Sequence, residues 1–246
     1  MTGVLLVAAS FAWAQTAPVA PGPRPKIAVV IDDFGLTYKK NVPDEDWYRI
    51  GWPITYAVMP ESPRTREAAK RVKETGHELI IHFPFDPFLS LSLPKDRVDP
   101  EDLAKVDALL EKAFRQIPQA VGMNNHRSYK ATPNTPLMRA FMERIKARKI
   151  YFVDSHVTPK SVVVEEARRA AVLTGSNYIF LEEPKHYSKE FAAAMLRRAA
   201  AHARKQGSVI VIGHHYYHGT YEALVQEEPK LRAEGFQFVF ASELVR

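Results

Sequence analysis

The chain has no cysteine in its 246 residues. No disulfide can brace the fold, and neither a thiolate nucleophile nor a thiolate metal site is open to it. Any metal must therefore be held by imidazole and carboxylate. No GxGxxG fingerprint is present, which removes the usual dinucleotide-binding signal. Neither a nucleic-acid motif nor interleaved aromatics accompany the basic stretches, so nucleic acid is not an expected partner. The sequence shows no repeat at a fixed period and no internal linker. Its most apolar run, "GVLLVAASFAWA", is too short to span a bilayer comfortably and has no Lys or Arg before it.

That run has the length of a signal-peptide hydrophobic region, and Ala12, Trp13 and Ala14 place small residues where signal peptidase reads. Residues 1–14 are expected to be a cleaved signal and residues 15–25, "QTAPVAPGPRP", an extended Pro-rich leader. The product would be periplasmic or secreted, with no stable membrane span after cleavage. Residues 26–246 remain as the folded domain. With 46% hydrophobic and 25% charged residues, the chain can bury the core of one large α/β domain or two small ones. The formal charge of +6 comes largely from helical stretches such as "RTREAAKRVK" and "LRRAAAHARK". Solvated helix faces account for such runs, although they also suit an acidic cell-wall polymer.

From residue 26 onward, short β-branched runs alternate with amphipathic stretches. Strands are expected at 27–31, 54–59, 78–83, 120–123, 150–154, 178–181, 208–213 and 236–240. Nearly all are continuous apolar runs, as strands buried on both faces require. Between the third and fourth, Asp99 and Pro100 supply an N-cap and a first helical residue. Leu103, Val106, Leu109, Leu110, Ala113, Phe114 and Ile117 then recur at helical spacing. Gly76, Gly207 and Gly235 fall between a helical stretch and a strand, where a left-handed cap is expected. The repeated unit predicts an α/β fold with a parallel sheet, and at this length a single (β/α) barrel of seven to eight strands. An open doubly wound sheet is the alternative.

The unusual polar residues fall at the C-terminal ends of those strands. Asp32 and Asp33 follow the first, His82 ends the third, and Asn124, Asn125 and His126 follow the fourth. Asp154 and Ser155 end the fifth, Glu182 and Glu183 the sixth, and His214 and His215 follow "VIVIG". In a parallel barrel those ends share one rim, the rim that carries active sites. Paired Asp residues let one carboxylate bind a cation while the other moves protons. Asp33, His82 and His126 are the candidate ligands, and two imidazoles with one carboxylate suit Zn²⁺ or another first-row ion with a position left open. His77, His156, His186, His202 and His218 are read as structural or surface residues.

Taken together, "VVIDDFG", "IIHFPF", "GMNNHRS", "FVDSHVTPKSV" and "VIVIGHHYYHGT" resemble the successive motifs of the divergent polysaccharide deacetylase family, a branch of the NodB-like carbohydrate esterases. The resemblance runs from Lys26 to the C-terminus. It implies a distorted TIM-type barrel and metal-dependent removal of acetyl groups from the N-acetylated sugars of a polysaccharide or peptidoglycan. It also implies a division of labour in which Asp32 is the base and Asp33 a ligand. The usual pattern takes both metal histidines from one H-x-x-x-H segment. Here Asp86 stands at the fourth position after His82, so the second imidazole would come from His126. The family's asparagine motif usually continues with glycine and serine and its sixth-strand motif usually ends in Asp; this chain has "NNHRSY" and "FLEE". These departures leave the cleft's shape and the role of Glu182 open.

On that reading Asp32 takes a proton from the attacking water and His214 gives one to the departing amine, with His215 as the competing candidate. Asn124 or Asn125 donates to the developing oxyanion or holds the loop in shape. Asp154 orients an imidazole or the base from behind. Ser128 and Ser155 act as local caps. Two other readings compete: a carbohydrate-binding or envelope scaffold that has lost turnover, and a metal-free glycosidase using Asp154 and Glu182.

Overall fold

The computed structural model describes residues 23–37 and 42–246. The expected signal segment and most of the leader lie outside the described residues. The elements in chain order are β1 (Lys26–Phe34), α1 (Asp44–Tyr48), β2 (Thr55–Val58), α2 (Thr65–Glu74), β3 (Glu78–Pro84), α3 (Pro100–Gln116), β4 (Gly122–His126), α4 (Thr135–Arg148), β5 (Tyr151–Asp154), α5 (Val163–Arg169), β6 (Thr174–Ser176), β7 (Ile179–Phe180), α6 (Lys189–Gln206), β8 (Ser208–His214), α7 (His218–Ala233) and β9 (Gln237–Val239). Among the described residues, no helix is long and apolar enough to cross a membrane.

All nine strands join one parallel sheet in the order β6-β5-β4-β3-β2-β1-β8-β7, with β9 beside the first residues of β1. The sheet curls into the expected barrel with the helices around it. β6 and β7 do not pair with each other. Residues 177 and 178 carry the chain across that seam, with Asn177 N bonded to Asp154 O on one side and Tyr178 N to Ile210 O on the other. The seam explains the short β6, "TGS", which is too brief and too poor in β-branched residues to be read from sequence. The fourth strand also begins later than its apolar run suggests, so Asn124, Asn125 and His126 are part of β4 itself.

Side chains alternate across each strand, and two apolar layers result. Ala28, Val30, Ile80, Val153, Ile210 and Ile212 fill the barrel interior. Ile27, Val29, Ile31, Leu79, Ile81, Phe152 and Val211 face the helices and form the larger outer core. Gly122 has no side chain because Tyr151 occupies its inward space; a Cβ there would lie 2.3 Å from the Tyr151 ring. The α3 cap forms as its sequence predicts, with Asp99 Oδ1 accepting from Glu101 N at 2.8 Å. Gly76, Gly207 and Gly235 all take positive φ.

Candidate metal centre and cleft

Each strand's alternation, run forward to the C-terminal rim, decides which polar side chains meet. On β1, Ala28 and Val30 point inward, so Asp32 does too. Asp33 would then face the helices, yet its φ of +72° breaks the alternation, and the register shifts between Ile31 and Phe34. Both carboxylates reach the mouth while Phe34 returns to the outer core. Aspartate tolerates that left-handed geometry better than most residues. His82 follows Ile80 on the inward face of β3, and it pairs in register with Asn124 of β4.

Three groups converge there. His126 Nδ1 lies 2.9 Å from Asp33 Oδ1. His82 Nε2 lies 3.2 Å from the same oxygen. The two imidazole nitrogens stand 2.9 Å apart. All three residues are buried, with side chains at most 6% exposed. Ligand atoms about 2.0–2.1 Å from one zinc ion lie about 3.3 Å from each other, so the spacing fits a shared cation. The fit does not rest on distance alone. Asp33 Oδ1 is buried and accepts no well-aligned hydrogen bond although two ring nitrogens adjoin it. A buried carboxylate oxygen with no aligned donor, set beside two ring nitrogens, is what a ligand set presents.

Asn124 holds this set together. Its Nδ2 donates to Asp32 Oδ1 at 2.8 Å while its Oδ1 meets His82 Nδ1 at 2.7 Å. One amide thereby fixes the ring that would bind metal through Nε2 and orients the free carboxylate. Asn125 has a separate duty: its Oδ1 accepts from Ser155 N at 2.9 Å and its Nδ2 donates to Arg127 O at 3.0 Å. Asp86, standing where a second histidine would complete H-x-x-x-H, accepts from Ala131 N at 2.7 Å and so anchors the loop after His126.

The charge environment separates the two aspartates. Burial acts to raise both, and for Asp32 it wins despite nearby His82 and His214. For Asp33 the His126 and His82 contacts prevail and hold it well below the usual carboxylate range. Burial lowers His126, which favours the neutral ring a ligand must be. Burial would also lower His214, but the Glu182 carboxylate beside it pushes it up to about 9.

His214 continues the inward face of Ile210 and Ile212, and its Nδ1 lies 3.0 Å from Glu182 Oε2. Glu182 Oε1 accepts from His214 N at 3.1 Å and from the Thr220 hydroxyl. The same alternation turns His215 outward, where its ring packs 5.0 Å from Phe34 and its Nδ1 meets Asp32 O at 3.2 Å. His214 therefore lines the cleft and His215 braces its wall. Thr220 escaped the sequence reading because it lies in the first turn of α7, past the strand end on which the reading concentrated.

Asp154 is the correction. Tyr151 and Val153 point inward, so Asp154 faces the opposite side, and its Oδ1 accepts from His156 N at 2.8 Å within its own loop. The support expected of it comes from Asn124, and Asp154 is not among the residues lining the cleft that Glu182 opens onto. Ser155 donates to Asn125 O and Ser128 to His126 O, both at 2.7 Å, as local caps do. The cleft over these groups holds about 700 Å³, and Asp32, Asp33, His82, His126 and His214 all open onto it.

Comparison with known proteins agrees with this architecture. A family model described as divergent polysaccharide deacetylase matches residues 29–245. The uncharacterized protein YibQ of Escherichia coli K12 is 32% identical over 176 residues, covering 70% of this chain and 53% of that protein. The chain thus spans about half the length of that curated relative. An uncharacterized protein of Agrobacterium tumefaciens superposes with a TM-score of 0.75 at 18% identity, covering 93% of this chain and 92% of the other. The catalytic domain of a peptidoglycan N-acetylglucosamine deacetylase from Eubacterium rectale gives 0.56 at 15%, with 92% of each chain covered. A CE4 family pseudoenzyme from Bacillus anthracis gives 0.50 at 16%, covering 90% of this chain and 65% of the other. At such identities the structural likeness speaks for the fold alone.

Proposed function

The chain belongs to the divergent polysaccharide deacetylase family, and from that premise we propose that it is an exported, divalent-metal-dependent hydrolase that removes acetyl groups from N-acetylated sugars of a glycan. One observation carries the reading. Asp33, His82 and His126 bring a carboxylate oxygen and two ring nitrogens within 3.2 Å of one another at a buried point, with Asp32 beside them and His214 on the same cleft.

A cation held by those three residues would supply Lewis-acid polarisation of the acetyl carbonyl and a more acidic water; the donor set favours Zn²⁺. The chain's own groups do the proton work. Asp32, kept in place by Asn124, accepts the proton of the water whose oxygen adds to the acetyl carbon. His214, protonated at neutral pH because Glu182 adjoins it, donates to the sugar nitrogen as the C–N bond breaks. Acetate and the free amine are the products. The two groups act in opposite protonation states, as acid–base catalysis of amide hydrolysis requires.

The test measures bound metal in protein purified without added ions, together with acetate release from N-acetylated oligosaccharides and peptidoglycan, for wild type and Asp32→Asn. Metal in both and acetate from the wild type only would support the reading. Protein that binds metal and sugar but releases no acetate across the panel would instead be a scaffold, a state the pseudoenzyme neighbour makes concrete. For export, N-terminal sequencing of the secreted or periplasmic protein is expected to begin at Gln15.

A further inference from the structure

The mechanism above leaves Arg127 without a role, and the backbone around it is costly. Arg127 and Ser128 sit in succession at φ +49° and +77°, in the left-handed region where glycine is the relaxed choice. Ser128 repays its position, since its hydroxyl donates to His126 O at 2.7 Å and accepts from Phe85 N at 3.3 Å. Arg127 contributes to the turn only through its carbonyl, which accepts from Asn125 Nδ2. A glycine carbonyl would serve equally. The long cationic side chain is therefore surplus to local structure, and it stands exposed on the cleft wall directly after a metal ligand. Among the described residues its guanidinium enters none of the ion pairs or side-chain hydrogen bonds.

Its surroundings say what it faces. Among the described cleft-lining residues Arg127 is the one permanent cation, and the other ionisable groups there include Asp32, Asp33, Glu182, Glu183 and the histidines. Strand order puts β4 and the β7–β8 pair on opposite sides of the barrel. The mouth is thus polarised, with Arg127 at the β4 side and Glu182 and Glu183 across from it. Tyr129, on the same loop, lines the cleft and is 58% exposed, offering an aromatic face on which a sugar ring can stack.

We propose that Arg127 and Tyr129 form a subsite for a carboxylate-bearing sugar adjacent to the sugar that is deacetylated, so that the substrate is an anionic glycan read in one direction. The inference rests on the glycan reading above. A guanidinium fork matches a carboxylate in a bidentate pair, and the acidic wall opposite repels the same group, so both attraction and repulsion set the orientation.

The experiment compares binding of two oligosaccharides of equal length to metal-loaded protein in an Asp32→Asn background. One carries a free carboxylate on alternate sugars, and the other has that carboxylate converted to its primary amide. The acid is expected to bind roughly tenfold tighter or more than the amide, with the difference shrinking as salt rises. Arg127→Ala should erase the preference while leaving affinity for the amide unchanged, and Arg127→Lys should keep part of it. Equal affinity for the two ligands, a preference that survives Arg127→Ala, or no detectable binding of the acid at millimolar concentration would overturn the proposal. Binding does not require turnover. A carboxylate preference without acetate release from the wild type would sink the deacetylase reading and spare the subsite; acetate release without the preference would do the reverse.

Discussion

Strand β3 carries a buried ionisable side chain at each end of its inward face, Glu78 at the floor of the barrel and His82 at the mouth, and their surroundings follow opposite rules. At the floor, Glu78 Oε1 accepts from the Thr55 hydroxyl at 2.8 Å, the Tyr151 hydroxyl at 2.8 Å and Ser242 N at 3.2 Å. Ala241 N in turn donates to Thr55 Oγ1 at 3.0 Å. Fixed neutral donors surround this carboxylate and tie the C-terminal segment across the barrel's base. At the mouth, Asp33 Oδ1 has two imidazole nitrogens beside it and no aligned donor. The floor is closed on itself, and the mouth awaits something from outside. Burial alone does not mark a site; an incomplete set of partners for a buried charge does.

That contrast can be broken at several points, and activity should respond most at the mouth. His126→Ala removes a ligand, so metal content should fall below one ion per chain and acetate release by more than about 10⁴-fold; retention of full activity would dissolve the distinction. Asp32→Asn keeps the three ligands and should retain metal, with activity falling about 10²–10⁴-fold as expected for a lost general base. Elemental analysis alongside the assay separates these two variants.

Glu182→Gln should act less strongly and mainly through pH. Wild-type His214 is pushed up to about 9 by its carboxylate partner, so the acid form persists through neutrality and the alkaline limb of kcat/KM should lie well above an ordinary histidine value. Removing the Glu182 charge should bring that limb down toward about 6.5 and cost roughly thirtyfold at pH 8. The same shift is linked to stability. A raised folded pKa contributes stability that is fully present below the unfolded value and is lost as pH rises through about 9, so the wild type's Tm advantage over Glu182→Gln should fade across that window.

Glu78→Ala should have the smallest effect on catalysis and a large one on folding. It strands two buried hydroxyls and a backbone N–H, so unfolding free energy should drop by roughly 2–4 kcal/mol in denaturant titration, with activity per folded molecule unchanged. Loss of activity in the folded variant would mean that the two ends of the barrel are coupled after all.

Much of the mouth could be read from residue order because strand alternation is local. Ala28 and Val30 imply where Asp32 points, Ile80 where His82 points, and Ile210 and Ile212 why His214 rather than His215 enters the cleft. The same parity argument, applied to Tyr151 and Val153, would have kept Asp154 out of the site. Asp33 defeats it, since its side chain reaches the mouth only through a left-handed residue that no periodicity announces. β6 and the barrel seam were also hidden, because a three-residue strand followed by a two-residue crossing carries too little pattern to register.

The sequence by itself determined the strand–helix alternation, the parallel sheet and the collection of acids, amides and imidazoles on one rim, because those follow from short-range periodicity and from the polarity of a parallel strand. Tertiary structure alone decided that Asp33, His82 and His126 meet within 3.2 Å, that Asn124 spans base and ligand, and that Glu182 reaches His214. Such contacts depend on which strands become neighbours and on one reversed dihedral, and neither is set by the residues immediately adjacent along the chain.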